Sequence, residues 1–313
     1  MRGVNTLIFD THANVLNHIV EKIRIGKSGI IDSYHIPQQL EGNVTGGIWI
    51  YSPDSKQIST QKFNKEVAYI LEELKQSENI QIVMSKDHWD DQSVNVVLGL
   101  KGLANISEIQ NLEQIYQLGF RHGILSNDKG EKNNFIWNNE KMGKNIYLTD
   151  MGVEAIKKMN ELGMVIDISK EKEQIAKQIK QLTTAPIVTT CSNCYELTPH
   201  KENLSDEQIK IIAETDGYIG ITALGALISK ATVESLVDHI DYLKKLIGIR
   251  HIALGFNFTN YLDKANTYLD DCPDVTYAVN IIDELFKRNY SSSEIEAIAS
   301  INAKRVINKI LKD

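Results

Sequence analysis

Short apolar runs rich in β-branched residues recur along the chain, and longer segments with helical periodicity separate them. The runs lie at residues 6–9, 47–51, 80–84, 94–100, 120–125, 164–168, 186–190, 218–222 and 251–256. Most of them are apolar at every position, which is typical of parallel strands covered on both faces. Between them, apolar residues recur at helical spacing, as in Val233, Leu236, Val237, Ile240 and Leu243. The sequence therefore predicts alternating strands and helices.

About nine such strands over 313 residues predict an α/β fold, a (β/α)8 barrel of the TIM type with one additional strand. An open, doubly wound sheet is the alternative, but neither a G-x-G-x-x-G motif nor a P-loop follows the first strand. No internal repeat or Pro/Gly-rich linker divides the chain, so we expect a single domain over residues 1–313. In a barrel, functional side chains lie at the carboxyl ends of the strands.

Three helix starts carry the spacing of a capping box, in which a hydroxyl meets a backbone N–H and a longer side chain reaches back. They are Ser107 with Gln110, Ser205 with Gln208, and Ser291 with Glu294. Residues 127–145 are rich in Asn, Lys and Gly and are predicted to form a long loop.

Composition excludes several classes of function. Lys and Arg total 34 and Asp and Glu 41, which gives a net charge of −7 and argues against nucleic acid or an anionic membrane as partner. Three cysteines cannot form a disulfide framework, and the first apolar run is too short for a signal peptide or a membrane span. We therefore expect a cytoplasmic protein without a membrane-spanning segment.

Polar residues follow several of the predicted strands. His12 lies after the first strand and is read as a metal ligand, a general base or a hydrogen-bonded histidine of the barrel mouth. Cys191 and Cys194 form a C-x-x-C pair, which is a redox pair, half of a zinc site or two ordinary thiols. Further candidates at strand ends are Asp10, Asn14, Lys101, Asp167, Lys170 and Asn257.

Several segments, in order, resemble the renal, or membrane, dipeptidase family of zinc metallopeptidases. They lie at residues 99–102, 118–121, 148–169, 185–188, 202–207 and 290–306, so that the resemblance covers nearly the whole chain. The resemblance implies a metallo-dependent-hydrolase barrel with two zinc ions at its mouth, which cleaves dipeptides. It also implies a homodimer as the default assembly.

The family's metal ligands are mostly replaced in this sequence. Its opening His-x-Asp pair falls on His12 and Asn14, and its bridging Glu falls on Lys101. Its two later histidine ligands fall on Lys170 and Cys191. Of these ligand positions, His12 alone keeps the residue type of the family.

The family's substrate-handling positions are replaced as well. The acidic residue that handles the proton falls on Asn257, a vestigial catalytic position. The substrate-binding histidine aligns with Asn127, and the arginine that grips the substrate carboxylate aligns with Glu202. An acid at this position would repel a dipeptide in the usual pose unless His200 or Lys201 substitutes for the arginine.

Zinc requires deprotonated N, S or O donors, and a dinuclear site requires an anionic bridge. Amides and ammonium groups do not meet that requirement, so we predict that dinuclear zinc hydrolysis is lost and that no cofactor is bound. The sequence then predicts a pseudoenzyme whose mouth binds a small anionic or dipeptide-like ligand through Lys101 and Lys170. A scaffold with a filled mouth is the plainer form of this prediction.

Three alternatives keep an enzyme on the same barrel. A carboxylated Lys101 would restore an anionic metal bridge. One zinc ion on His12 and Cys191 would make a mononuclear site. A lysine at a strand end, Lys101 beside Lys170, would form a Schiff base if the neighbouring cation lowered its pKa.

Overall fold

The computed structural model describes residues 6–53, 59–103, 109–125, 135–137, 146–262 and 266–313. The strands are β1 Ile8–Ala13, β2 Val44–Tyr51, β3 Ile80–Ile82, β4 Val94–Lys101, β5 Phe120–Ile124, β6 Ile136–Trp137, β7 Tyr147–Leu148, β8 Val165–Asp167, β9 Ile187–Val188, β10 Ile219–Ile221 and β11 Ile252–Leu254. The α-helices are α1 Val15–Arg24, α2 Ile36–Glu41, α3 Thr60–Gln76, α4 Gln110–Gln117, α5 Asp150–Leu162, α6 Glu173–Leu182, α7 Asp206–Glu214, α8 Val233–Ile247, α9 Val279–Lys287, α10 Ser292–Glu296 and α11 Asn302–Ile310.

Parallel strands form a barrel. Their order is β10-β11-β1-β2-β4-β5-β8-β9, and every pairing in this sheet is parallel. The Thr189–Ile219 bridge joins β9 to β10 and completes the circle. At this seam the N–H of Gly220 donates to the carbonyl of Thr189 at 2.7 Å. The prediction of a (β/α)8 barrel is confirmed.

The additional strand, β3, shares an edge of β4 with β5. Its residues Ile80 and Ile82 pair with Val94 and Val96 in the first half of β4, whereas β5 pairs with β4 from Leu98 onward. Strands β6 and β7 form a separate antiparallel pair outside the barrel.

Each of the nine predicted strands overlaps a strand of the barrel sheet, and the first one differs most in its bounds. The sequence pattern places it at residues 6–9, whereas β1 extends to Ala13. The pattern ended too early because Asp10, Thr11 and His12 are polar yet buried. These three side chains find hydrogen-bond partners in the segments that follow β9 and β11, so polarity does not end the strand.

Two of the three predicted helix starts are confirmed. Ser205 and Ser291 each form a complete capping box at the starts of α7 and α10. Ser107, the third candidate, lies outside the described residues, as does most of the loop predicted at residues 127–145. The apolar residues predicted on α8 are all buried against the barrel. Among the described helices, none combines the length and the apolar character needed to cross a bilayer.

The C-terminal helix closes one end of the barrel. Ala303, Val306 and Ile307 of α11 pack with the side chains that fill the barrel interior, such as Phe9 and Ile48. Asn302 fixes the start of this helix, because its Nδ2 donates to the carbonyls of Ile249 and Ile252 at 2.7 and 2.9 Å. This end lies at the start of β11, so the carboxyl ends of the strands form the open mouth at the other end.

Candidate functional site at the barrel mouth

Asp10 ties β1 to the chain after β11 below the mouth. Its Oδ1 accepts hydrogen bonds from the backbone N–H groups of His12 and Phe256, each at 3.0 Å. Burial raises the pKa of Asp10 to about 7, against the lowering effect of these two bonds. Asp10 is therefore a support of the mouth, and burial keeps its carboxyl partly protonated near neutral pH.

His12 belongs to a buried hydrogen-bonded chain that ends on a carboxylate. Its Nδ1 lies 2.7 Å from Oγ1 of Thr190, and that hydroxyl donates in turn to Oδ2 of Asp167. The Asp167 carboxylate also lies 3.0 Å from Nε2 of His122 and accepts from the N–H of Ser169 at 2.7 Å. Burial alone would raise the pKa of Asp167, but these hydrogen bonds hold it below its usual value. Asp167 is therefore the ionised anchor of the chain.

These hydrogen bonds determine which ring nitrogen of His12 carries the proton. A carboxylate only accepts hydrogen bonds, so Thr190 gives its proton to Asp167 and must accept from N–H at Nδ1 of His12. Burial, and next the charge of Lys101, lower the pKa of His12 to about 3. At neutral pH the imidazole is therefore uncharged, with its lone pair on Nε2.

A second series of hydrogen bonds starts from the loop after β11. Nδ2 of Asn14 donates to the carbonyl of Phe258 at 3.2 Å and to Oδ1 of Asn257 at 2.7 Å. Nδ2 of Asn257 then lies 3.8 Å from Sγ of Cys191. The sulfur also lies 3.9 Å from Nε2 of His12. The two series of hydrogen bonds thus meet at Cys191. The side chains of His12, Asn14, Cys191 and Asn257 are all at least nine-tenths buried.

The charged residues form the other part of the mouth. Nζ of Lys170 lies 3.1 Å from Oε2 of Glu202, and both side chains are about one-fifth exposed. The Lys170 cation therefore neutralises the acid that was expected to repel a dipeptide carboxylate. Lys101 is buried at the end of β4 and is the strongest charge acting on His12.

Two non-glycine residues of the mouth have left-handed backbone. The φ angle is 68° at Lys170 and 59° at Asn257. Such conformations are disfavoured for residues with a Cβ atom, and they cluster at functional sites.

Cys194 is directed away from Cys191 toward helix α8. Its N–H donates to Nδ1 of His239 at 3.1 Å, and its thiol lies 3.8 Å from the carbonyl of the same residue. Burial raises the pKa of the Cys194 thiol well above its usual value. A thiol held in this way serves packing, and the redox reading of the C-x-x-C pair gains no support from it.

The structure thus brings His12, Asn14, Cys191 and Asn257 into one hydrogen-bonded group and pairs Lys170 with Glu202. Lys101 and Lys170 both lie near enough to act on the charge of His12. Asn127 lies outside the described residues. His200, proposed as a substitute cation, instead accepts the N–H of Glu202 at 3.2 Å.

Sequence reasoning missed Thr190 and His122. Thr190 directly precedes Cys191 and read as the last residue of an apolar strand. His122 lies inside β5 with no exposed surface, where a Cβ on Gly99 would approach its Nδ1 to 2.6 Å. A glycine within a strand signals the close approach of another group, so Gly99 was the available clue.

The donor set does not fit two zinc ions. Of the side chains at the mouth, His12 and Cys191 offer ordinary zinc donors, Asn14 and Asn257 are neutral amides, and the carboxylate of Glu202 is paired with Lys170. The family resemblance assigns Lys101, an ammonium group, to the position of the anionic bridge. In the part of the chain that the structure describes, no three His, Cys, Asp or Glu side chains form a metal-binding group.

Comparison with known proteins gives matches over the whole chain. The profile of the membrane dipeptidase family, peptidase family M19, matches residues 4–312. Dipeptidase tcpJ of Claviceps purpurea (strain 20.1) is 27% identical over 221 residues, which is 68% of this chain and 50% of the relative. Dipeptidase verJ of Clonostachys rogersoniana is 25% identical over 234 residues, 72% of this chain and 58% of the relative. The matched part thus spans little more than half the length of these curated relatives.

Solved structures share the fold. A metallo peptidase from Rhodobacter sphaeroides, liganded with a phosphinate mimic of the dipeptide L-Ala-D-Ala, has a TM-score of 0.82 at 18% identity and covers 97% of this chain and 99% of its own. The probable dipeptidase PvdM from Pseudomonas aeruginosa has a TM-score of 0.80 at 18% identity, with 98% and 96% covered. The family profile extends over nearly every residue, and the chain therefore belongs to the membrane dipeptidase family.

Proposed function

We propose that this family member does not hydrolyse dipeptides through two zinc ions and instead binds a small anionic or dipeptide-like molecule at the barrel mouth. One observation carries the proposal. The side chains at four family metal or proton-handling positions, His12, Asn14, Cys191 and Asn257, hydrogen-bond to one another. Neutral groups that satisfy each other need no cation to hold them together.

The charges near His12 oppose metal binding. Lys101 is the strongest charge acting on the His12 imidazole, and Lys170 acts in the same sense. A divalent ion at the same point would be repelled by the ammonium group of Lys101, and among the described residues no three His, Cys, Asp or Glu side chains form a group that could hold it. Loss of the metal removes the usual activation of the attacking water, whose pKa zinc lowers from about 15.7 to about 7.

The same lysines favour an anionic ligand. Lys101 lies buried at the end of β4, where its charge acts on His12 at the mouth, and we assign it to the ligand. A buried ammonium attracts a carboxylate more strongly than an exposed one does, because water screens it less. A small molecule with one carboxylate, such as a dipeptide, meets this requirement, and related proteins are named as dipeptidases.

An active enzyme with a remodelled metal site is the second candidate. The 3.9 Å between Nε2 of His12 and Sγ of Cys191 is compatible with one zinc ion bound to both atoms, given Zn–N and Zn–S bonds of about 2.0 and 2.3 Å. Carboxylation of Lys101 would add an anionic ligand. A Schiff-base enzyme at Lys101 finds less support, because Lys170 is paired with Glu202.

The metal content of the full chain, purified with zinc present and without chelator, tests this proposal by plasma mass spectrometry. We expect no bound zinc in the wild type and none in Cys191→Ser. Two zinc ions per chain would overturn the proposal and point to a carboxylated Lys101. One zinc ion that Cys191→Ser loses would establish the mononuclear site on His12 and Cys191.

Ligand binding is tested by calorimetry with dipeptides, together with a hydrolysis assay with zinc present. We expect binding without cleavage, weakened at least tenfold in Lys101→Gln. Lys210→Gln is the matched control, because Lys210 is an exposed lysine on helix α7 that no part of the proposed site includes. Equal affinities of the two variants would refute the role of Lys101.

Cellular location and assembly complete the proposal. All three cysteines are buried and form no disulfide, which supports a cytoplasmic protein. We propose a homodimer as the assembly, on the resemblance to the family, and light scattering of the purified chain measures it.

A further inference from the structure

The ion pair of Lys170 and Glu202 lies at the mouth within reach of solvent. Lys170 follows β8, whose carboxyl end opens into the mouth, and its Nζ lies 3.1 Å from Oε2 of Glu202. The two side chains are 19% and 23% exposed. A dissolved molecule can therefore reach both charges, although most of each side chain is shielded from water.

The loop that carries Glu202 holds this residue in place. The N–H of Glu202 donates to Nδ1 of His200 at 3.2 Å. The next residue, Asn203, is 5% exposed, and its Nδ2 donates to the carbonyls of Thr198 and Leu227 at 2.8 and 3.0 Å. Because the backbone beside Glu202 is already fixed, a ligand that binds there does not lose free energy by ordering the loop.

A ligand whose only charge is a carboxylate gains little from this ion pair. If it takes the Lys170 ammonium from Glu202, one carboxylate merely replaces another at the same cation. Glu202 is then left without a cation, because Lys170 is its one cationic partner among the described residues. A partly buried charge that loses its partner costs free energy. The ion pair therefore disfavours simple anions.

A zwitterion avoids this loss. Its carboxylate pairs with Lys170, and its own ammonium group supplies a cation for Glu202, so that no charge is left unpaired. Lys101 favours the same orientation. It ends β4, and β5 alone separates β4 from β8 in the sheet, so these two strands lie about 10 Å apart. The long lysine side chains can reach a common carboxylate across that distance.

We propose that the mouth binds a zwitterion, an amino acid or a dipeptide, with its ammonium group at Glu202 and its carboxylate at Lys170 and Lys101. The family resemblance assigns the position of Glu202 to an arginine that grips the substrate carboxylate. The ligand of this chain therefore lies in the opposite orientation. This inference rests on the proposed function above, which assigns Lys101 to the ligand.

The test is calorimetry of the full chain, in buffer with chelator, with three probes that differ in their charges. They are alanyl-alanine, its N-acetyl derivative and its C-terminal amide. We expect alanyl-alanine to bind at least tenfold more tightly than either derivative, because acetylation removes the ammonium group and amidation removes the carboxylate. Equal affinities of alanyl-alanine and its N-acetyl derivative would overturn the inference.

Free alanine, as a fourth probe, distinguishes the two sources of a zwitterion. Affinity equal to or above that of alanyl-alanine would assign the mouth to free amino acids. Weaker binding of alanine would assign it to dipeptides, whose two charges lie farther apart.

Glu202→Gln separates recognition of the ammonium group from a structural role. The variant should bind alanyl-alanine about tenfold more weakly, whereas its affinity for the N-acetyl derivative should not fall. Glu214→Gln is the matched control, because Glu214 pairs with Lys180 at the C-terminal end of α7, and it should keep both wild-type affinities. A structural role of Glu202 would instead lower both affinities alike, and this result would overturn the inference.

The outcomes distinguish this inference from the proposed function. If acetylation of the dipeptide does not weaken binding, the inference fails and an anion-binding mouth remains. Cleavage of alanyl-alanine with zinc present would overturn the proposed function, while a selective effect of Glu202→Gln in chelator would still support the orientation. Absence of binding by every probe would overturn both.

Discussion

The two ends of the barrel use polar residues in different ways. At the closed end, Asp216 receives hydrogen bonds or ion pairs from Arg250, Arg305 and Lys309, and its side chain is 27% exposed. At the mouth, Asp167 is fully buried and accepts from His122, Ser169 and Thr190. The closed end relies on several solvent-screened charges, whereas the mouth relies on a few directed bonds without water. Single changes should therefore matter much more at the mouth.

The largest effect is expected from a comparison of the two aspartates. Asp167→Ala leaves three buried donors without their acceptor, and the free energy of unfolding should fall by about 3–5 kcal/mol. Asp216→Ala removes screened ion pairs and should cost about 1 kcal/mol or less. Urea unfolding of both variants measures the difference. Equal losses would show that the two ends do not differ as described.

Acid should destabilise the region beside the mouth before it affects the closed end. Burial, and next His18, lower the pKa of His35 to about 3 from 6.5. The unfolded chain then binds a proton at His35 that the folded chain does not, so the contribution of His35 to the free energy of unfolding is complete above pH 6.5 and falls by about 1.4 kcal/mol per pH unit between pH 6.5 and 3.

The pKa of Asp216 lies well below its usual 3.8, because Arg250 and Lys309 donate to it. Its contribution is present above pH 3.8 and is lost only as the pH falls below that value. Urea unfolding at pH 7, 6 and 5 should therefore show that the free energy of unfolding of the wild type falls as the pH is lowered. Asp216→Asn should show the same fall, and His35→Gln should show a smaller one. An unchanged slope in His35→Gln would contradict the assignment.

A smaller effect is expected at the helix that closes the barrel. Asn302→Ala removes two hydrogen bonds to the carbonyls of Ile249 and Ile252 and should cost about 1–2 kcal/mol. Asn280→Ala, which removes one exposed bond to Asp271, is the control and should cost less. Thermal melting of both variants measures the ranking, and the reverse order would be inconsistent with these contacts.

The smallest effect is expected at the charged part of the mouth. Glu202→Gln removes the ion pair with Lys170, which should change the free energy of unfolding by less than about 1 kcal/mol. The loss should shrink further at 1 M salt, where charges beyond about 3 Å are screened. A loss of several kcal/mol in urea unfolding would show that this pair is structural rather than part of a ligand site.

The sequence predicts the barrel well because strand periodicity is a local property. The runs at residues 94–100 and 218–222 overlap β4 and β10 closely, since their apolar side chains need no distant partner to explain them. β1 shows the limit of the method. Its polar residues Asp10 and His12 are stable in a strand only because Phe256 and Thr190, far along the chain, bond to them.

The candidate site is predictable in its residues but not in its connections. Strand-end position alone indicated His12, Cys191 and Asn257. That Thr190 orients His12, and that Lys170 neutralises Glu202, depends on how strands far apart in sequence align around the barrel. Such register is set by the packing of the whole sheet, and it has no local signature.

The left-handed backbone at Lys170 and Asn257 limits which residues suit these two positions. For a residue with a Cβ atom this conformation costs about 1–2 kcal/mol, and glycine would adopt it without that cost. Glycine would also lose the contact that each side chain makes with another side chain of the mouth. Backbone strain and side-chain chemistry are therefore opposed at both positions, and a glycine there would relax the backbone at the expense of the mouth.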